Sequence, residues 1–265
     1  VSGVVAGMKL QELVDNGKLA AANYDDNGNV KVGYVGAYNY AEVVSGYTAF
    51  YLGIKSVFPK VTMYVDYTQS WFDVDKEAAM AEKFIGEGCV IIGQHADSTG
   101  APSACEAAWK NGKVVYSVGY NVDMLDVAPD AALTSASNNW GVYYTYAFKC
   151  LQDGKAIDTD WAEGYDADAV KLTPLGKNCA KGTKEAVDKA EAGIKDGSVK
   201  VFDTSAFTVS AANIEATKNA SGAVVTTHAH GHAPGRPLDL SHHDSATGTP
   251  GLRSDRRPRD TLGDR

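Results

Sequence analysis

Cys89-Val90-Ile91-Ile92-Gly93, followed at once by Gln94-His95-Ala96-Asp97, decides the fold. An almost wholly apolar run of this length is a strand buried on both faces, because a half-exposed strand would alternate. The polar residues after it mark where the chain leaves the core. Just upstream, Asp73 reads as the N-cap of a helix whose Val74, Ala78, Ala81, Phe84 and Ile85 recur at three- and four-residue spacing. Two more β-rich runs, 30–35 and 61–67, flank a helix with a stripe of Val44, Tyr47, Tyr51 and Ile54. Downstream, a helix begins near Pro102 and runs to about Asn111 before Gly112. Strands over 113–119 and 132–135 follow, then a helix from about Asn139 to Gln152 that stops at Asp153-Gly154. Repeated strand–helix units predict an α/β fold, a parallel sheet with helices on both faces. In such sheets ligands bind beyond the carboxyl ends of the strands.

The residues beyond those ends form a polar and aromatic set. They are Tyr38-Asn39-Tyr40, Gln69-Ser70-Trp71-Phe72-Asp73, Gln94-His95-Ala96-Asp97, Tyr120-Asn121-Val122-Asp123 and Asn138-Asn139-Trp140. Carboxylates and amides bind hydroxyls through directional hydrogen bonds, and an aromatic plane stacks on a base or sugar face. Each residue also has a structural reading. Trp71 or Trp140 fits a core position under a loop, Asp73 a cap, Asp97 an Asx-turn, and His95 a hydrogen-bonded structural histidine with no nucleophile beside it.

The bulk properties exclude several classes. The 265 residues, 44% hydrophobic and 22% charged, suffice for one or two lobes. A net charge of −8 argues against nucleic acid as partner. No apolar run has the length of a membrane span, and residues 1–8 lack the charged region of a signal peptide. There is no G-x-S-x-G, H-E-x-x-H, Walker or G-x-G-x-x-G motif, so no catalytic residue, cofactor or metal is assigned. Cys89, Cys105, Cys150 and Cys179 contain no C-x-x-C pair, leaving two disulfides or buried thiols equally open.

Composition breaks near the end of the chain. Every lysine lies at or before Lys218, every arginine at or after Arg236, and the last aromatic residue is Phe207. From about Ser221 a Pro/Gly/Ser/Arg-rich segment reads as a disordered tail unable to bury a core. Its Thr227-His228-Ala229-His230-Gly231-His232 run could chelate a metal, but nothing fixes the ligand geometry.

These segments resemble the basic-membrane-protein (BMP) family of substrate-binding lipoproteins, whose fold is that of type I periplasmic binding proteins. The strings that carry the resemblance include Val4-Val5-Ala6-Gly7-Met8, Val32-Gly33-Tyr34-Val35-Gly36-Ala37-Tyr38 and Ser70-Trp71-Phe72-Asp73. Gln94-His95-Ala96-Asp97-Ser98, Gly119-Tyr120-Asn121-Val122-Asp123-Met124 and Asn138-Asn139-Trp140-Gly141-Val142-Tyr143-Tyr144 continue it, over about residues 4–207. The resemblance implies a lipid-anchored, extracytoplasmic receptor that binds a nucleoside-like molecule between two lobes for the permease subunits of an ABC importer. Site residues carry over as Trp71 or Phe72 for stacking, Asp97 or its backbone for orientation, and Asn121 or Asp123 for ribose hydroxyls, with Asn139 and Trp140 near the last contact. Many relatives have Asp where Asn121 stands, and an amide accepts only through its carbonyl oxygen.

The resemblance also divides the chain. Residues 1–29 correspond to a remnant of the first lobe and a crossover, 30–158 to a nearly complete ligand-binding second lobe, 159–207 to a return segment, and 208–265 to a non-family tail. Most of the first lobe, the signal peptide and the lipidation cysteine are expected outside this sequence, and weak or no binding is expected of this chain alone. Two other classes remain open: an effector-sensing domain of a transcriptional regulator, and a nucleoside-processing enzyme.

Overall fold

The strand runs read from the sequence form a sheet in a computed structural model that describes residues 1–203 and the backbone of Pro237–Leu238. Its parallel centre comprises β1 (Val30–Gly36), β2 (Val61–Tyr67), β3 (Ile91–Gln94), β4 (Tyr116–Tyr120) and β5 (Ala132–Asn138). The order across the sheet is β6-β5-β4-β3-β1-β2-β7. The edges differ from the parallel expectation. β6 (Val170–Leu172) runs antiparallel to β5, and β7 (Pro237–Leu238) antiparallel to β2. Strands of two or three residues carry too little periodicity to be seen in sequence. β3 starts two residues later than the apolar run and β4 three residues later than predicted: Cys89 and Val90 lie buried just ahead of β3, and the approach to β4 passes from exposed Lys113 through half-buried Val114 to buried Val115. The remainder of the predicted tail lies outside the described residues, as does its histidine run.

Helices cover both faces. On one, α1 (Ser2–Asp15) and α2 (Ala41–Val57) pack with α6 (Thr183–Lys195) around Leu10, Tyr47, Phe50, Ile54, Val32 and Met63. On the other, α3 (Val74–Gly86) and α4 (Gly100–Lys110) enclose Phe84, Ile92, Ala101, Cys105 and Met124. Gly33 of β1 is what lets the Phe84 ring lie against the sheet, since a Cβ there would sit 2.7 Å from it. Residues 1–29 therefore supply a helix to the same core as the sheet, and the return segment supplies β6 and α6. By contrast α5 (Trp140–Gln152) buries only Cys150.

All four cysteines are free thiols, Cys89, Cys105 and Cys150 being buried and Cys179 partly so. Burial pushes the Cys179 thiol up to about 11 and those of Cys89 and Cys105 higher still. No described helix is long and apolar enough to cross a membrane.

The α1–α2 crossing is close enough to require glycine. A Cβ on Gly3 would collide with the Phe50 carbonyl oxygen, and Gly53 of α2 lies against the Gly3 backbone. Backbone cannot yield as a flexible side chain can. Gly3→Ala is expected to cost about 1–3 kcal/mol by overpacking, read from urea unfolding midpoints; an unchanged midpoint would show that the α1–α2 crossing contributes no stability to the fold.

Candidate functional site

The reversal in strand order creates a crevice. β1 pairs with β2 on one side and β3 on the other, so the connections after β1 and after β3 turn away from each other. Ligands of open parallel sheets bind at such a switch point. The loop after β1 carries Tyr38 and Tyr40, and the loop after β3 carries His95 and Asp97.

Around this point the side chains form a continuous group of rings. Tyr38 stacks on Tyr40 with centroids 5.1 Å apart and planes 13° off parallel, and Trp71 lies 5.1 Å from Tyr38 and 6.0 Å from Tyr40. Trp71 is 6.1 Å from His95, which stacks on Tyr120 at 4.3 Å. Trp71 is 40% exposed and Tyr40 55%, so ring surface stays available to a ligand.

A buried carboxylate fixes these loops. Asp73 N-caps α3, accepting from the Lys76 backbone N–H at 3.0 Å, as the sequence predicted. Its hydrogen bond and ion pair to Lys76 hold its carboxyl below the usual range. Four residues on, fully buried Glu77 accepts from the Asp73 N–H at 3.1 Å and from the Ser98 N–H at 3.2 Å. Burial raises the Glu77 carboxyl above its ordinary value despite those bonds. The Asp97 N–H then donates to the Trp71 carbonyl at 2.8 Å, and Gln94 Nε2 donates to the carbonyls of Ala96 and Ser98. The Trp71 and Asp97 loops are thus clamped together by groups that sequence spacing cannot reveal.

Asn121 adjoins this group. It adopts φ 69°, which asparagine tolerates and β-branched residues do not. Its N–H donates to Ala136 at 2.7 Å, its carbonyl accepts from Ser137 Oγ at 2.7 Å, and its amide Nδ2 lies 3.4 Å from Asp97 Oδ1. Asn121→Asp would set two carboxylates against each other, so a loss of about 1 kcal/mol at pH 7 is expected. Acidification through the carboxylate range should restore it, which melts of both forms at pH 4 and pH 7 would detect.

Four predicted residues stand apart from the ring group. Asp123 caps a turn, accepting from the Leu125 N–H at 2.9 Å. Phe72 is 64% exposed beside Trp71 in the same loop. Asn139 donates through Nδ2 to Asp168 and through its backbone to Ala169, tying α5 to the β6 segment. Trp140 opens α5 and stacks on Tyr144 at 6.4 Å, not on Trp71.

The sequence reading also passed over a cavity of about 370 Å³, lined by Tyr34, Glu42, Ser45, His95, Tyr120 and Asn138 among others. Burial, with the carboxylates of Glu42 and Asp97 nearby, raises the Tyr120 hydroxyl above its ordinary value, and burial does the same to Tyr34. Both phenols are therefore protonated donors at any physiological pH. The signal that could have located this cavity was the switch point, which needs the strand order rather than the strand list.

With this geometry in view, the family of ABC transporter substrate-binding proteins described as PnrA-like (Bmp) matches over residues 17–204. The chain belongs to the Bmp family. A purine-binding protein of Brucella abortus is 37% identical to this Bmp chain over 172 residues, which cover 64% of the chain and 47% of the relative. The chain thus spans about half the length of the curated relative it matches. Among solved structures, an ABC transporter solute-binding protein of Aeropyrum pernix K1 superposes with a TM-score of 0.58 at 16% identity, covering 75% of this chain and 63% of the other. A solute-binding protein of Conexibacter woesei gives 0.52 at 18%, covering 75% and 61%. A transcriptional activator of the comK gene from Bacillus halodurans gives 0.55 at 20%, covering 75% and 63%. At these identities the structures show a shared periplasmic-binding-protein fold and nothing finer. The Bmp family is one of substrate-binding proteins, not of enzymes.

Proposed function

We propose that this lobe binds a purine-type small molecule, a nucleoside or a related base, as part of an extracytoplasmic receptor that delivers it to the permease of an ABC importer. On this reading the chain catalyses no reaction, and the receptor is attached to the membrane by a lipid anchor. The observation that carries the proposal is the exposed shelf of Tyr38, Tyr40 and Trp71 beside the Asp97–Asn121 pair, at the switch point of the sheet. A planar base stacks on such rings for about 1–3 kcal/mol, while the carboxylate and amide orient hydroxyls. Phe72 and Asp123 extend the wall; Asn139 and Trp140 flank it. The purine named for the Brucella relative agrees with this choice of ligand.

Isothermal titration with inosine, adenosine and guanosine, and with uridine and ribose as comparisons, tests it. On this reading the wall covers one side of the ligand, so purine nucleosides should bind with dissociation constants of about 0.1–10 mM, roughly 3–5 kcal/mol, and ribose not at all. Equal binding of ribose and purine nucleosides would refute the assignment, and sub-micromolar affinity would refute the one-sided wall. Free base appearing during the incubation would point instead to an enzyme.

A further inference from the structure

The cavity at the switch point is not absorbed by the stacking shelf, and its chemistry is specific. Glu42 stands in the first turn of α2, where the helix dipole favours a carboxylate, and its side chain is 63% exposed. His95, only 4% exposed, approaches Glu42 Oε1 through Nε2 at 3.2 Å. Facing a carboxylate, Nε2 carries the proton, and the imidazole then holds the Glu42 side chain over the cavity. His95 Nδ1 is buried without a hydrogen-bond partner among the described residues. Stacking on Tyr120 fixes its plane.

Beside Glu42 and His95, the polar side chains that line the cavity are hydroxyls and amides, set among apolar Phe50, Val118 and Val170. Tyr34, Ser45, Tyr120 and Asn138 bring hydroxyls and an amide, and among the described residues neither lysine nor arginine lines the space. At about 370 Å³ it falls in the usual range for small-molecule sites, about 300–1,000 Å³. An anion would meet the Glu42 carboxylate, whereas a pair of hydroxyls would find two carboxylate oxygens. The stacking shelf is two residues away, since Tyr40 is the N-cap of α2.

We propose that Glu42, held in place by His95, is the specificity-determining acceptor of this site, receiving the hydroxyls of an uncharged ligand whose ring lies on the Tyr38–Tyr40–Trp71 shelf, and rejecting phosphorylated ligands. This rests on the purine-type reading above and adds to it the group that reads the ligand's polar end.

The test compares adenosine, 2′,3′-dideoxyadenosine, adenosine 5′-monophosphate and adenine on the full chain, with Glu42→Gln and Glu42→Ala variants, by ligand-detected NMR at millimolar concentration. The wild type should prefer adenosine to the dideoxynucleoside, and to the monophosphate, by about ten- to one-hundredfold, the scale of hydrogen bonds to a charged group. Both variants should lose that preference while binding dideoxyadenosine and adenine as before, with unchanged melting temperatures. The His95 side-chain ¹⁵N resonances should move with adenosine and stay fixed with the dideoxynucleoside. Retained discrimination in Glu42→Gln, or equal weakening of adenosine and dideoxyadenosine, would overturn the inference while leaving the purine reading intact. Failure of all four compounds to bind the wild type would remove both.

Discussion

Replacing Glu77 by alanine should lower the stability of the fold by about 2–4 kcal/mol, the cost of losing hydrogen bonds to a charged acceptor and orphaning two backbone donors. The donors are the N–H groups of Asp73 and Ser98, which come from the loops that carry Trp71 and Asp97. The loss should be visible both in the denaturation midpoint and as reduced near-ultraviolet dichroism of Trp71 under native conditions. Glu77→Gln keeps one acceptor oxygen and should lose less than half as much. The two variants also separate in pH dependence. Burial raises the folded-state pKa of Glu77 above its unfolded value, so between those two values the folded state binds more protons and stability falls as pH rises. Below the unfolded value the contribution is fully present; above the folded value it is gone. Glu77→Gln cannot ionise, so the wild-type-minus-variant stability difference should decline as pH is raised from about 4 toward neutrality. A difference that is flat over that interval would contradict the burial argument.

Trp71→Ala should weaken purine nucleoside binding by about 1–3 kcal/mol, roughly 5- to 150-fold, through loss of a stacking plane. The folded state should be nearly unaffected, because Trp71 is 40% exposed and its loop is held by backbone hydrogen bonds of Thr68, Trp71 and Asp97 rather than by the indole. Trp71→Phe should recover most of the affinity, since it restores a plane without the indole N–H. If the phenylalanine variant binds as poorly as the alanine variant, Trp71 acts through its N–H and not by stacking. Titration calorimetry on the three proteins distinguishes these outcomes.

The parallel core was legible because its strands are apolar on both faces, and the helix after Asp73 because its cap and stripe are local. Five strand ends could be listed for the same reason. What the sequence could not convey was which ends lie side by side. Glu42 meets His95 across 53 positions, and Glu77 meets Ser98 across 21. Neither pair has any local signature. His95 read as a structural histidine is half right: it is buried and stacked, yet its partner is an exposed carboxylate at a cavity. Trp140 follows a strand end in sequence, and in the fold it begins α5 and stacks on Tyr144 rather than joining the Trp71 rings. Asn121 sat in the predicted set, but its left-handed backbone and its contact with Asp97 emerge only in three dimensions.

The reading stands on the loops beyond β1, β2, β3 and β4 forming one wall that contacts a purine-type ligand. Amide chemical-shift mapping of the ¹⁵N-labelled chain titrated with adenosine tests it most directly. Saturable shifts are expected in residues 38–42, 70–73, 94–98 and 119–121, together with the Trp71 indole, and little change along α6. Shifts clustered on α6 or α5 instead, or none at saturating ligand, would contradict it.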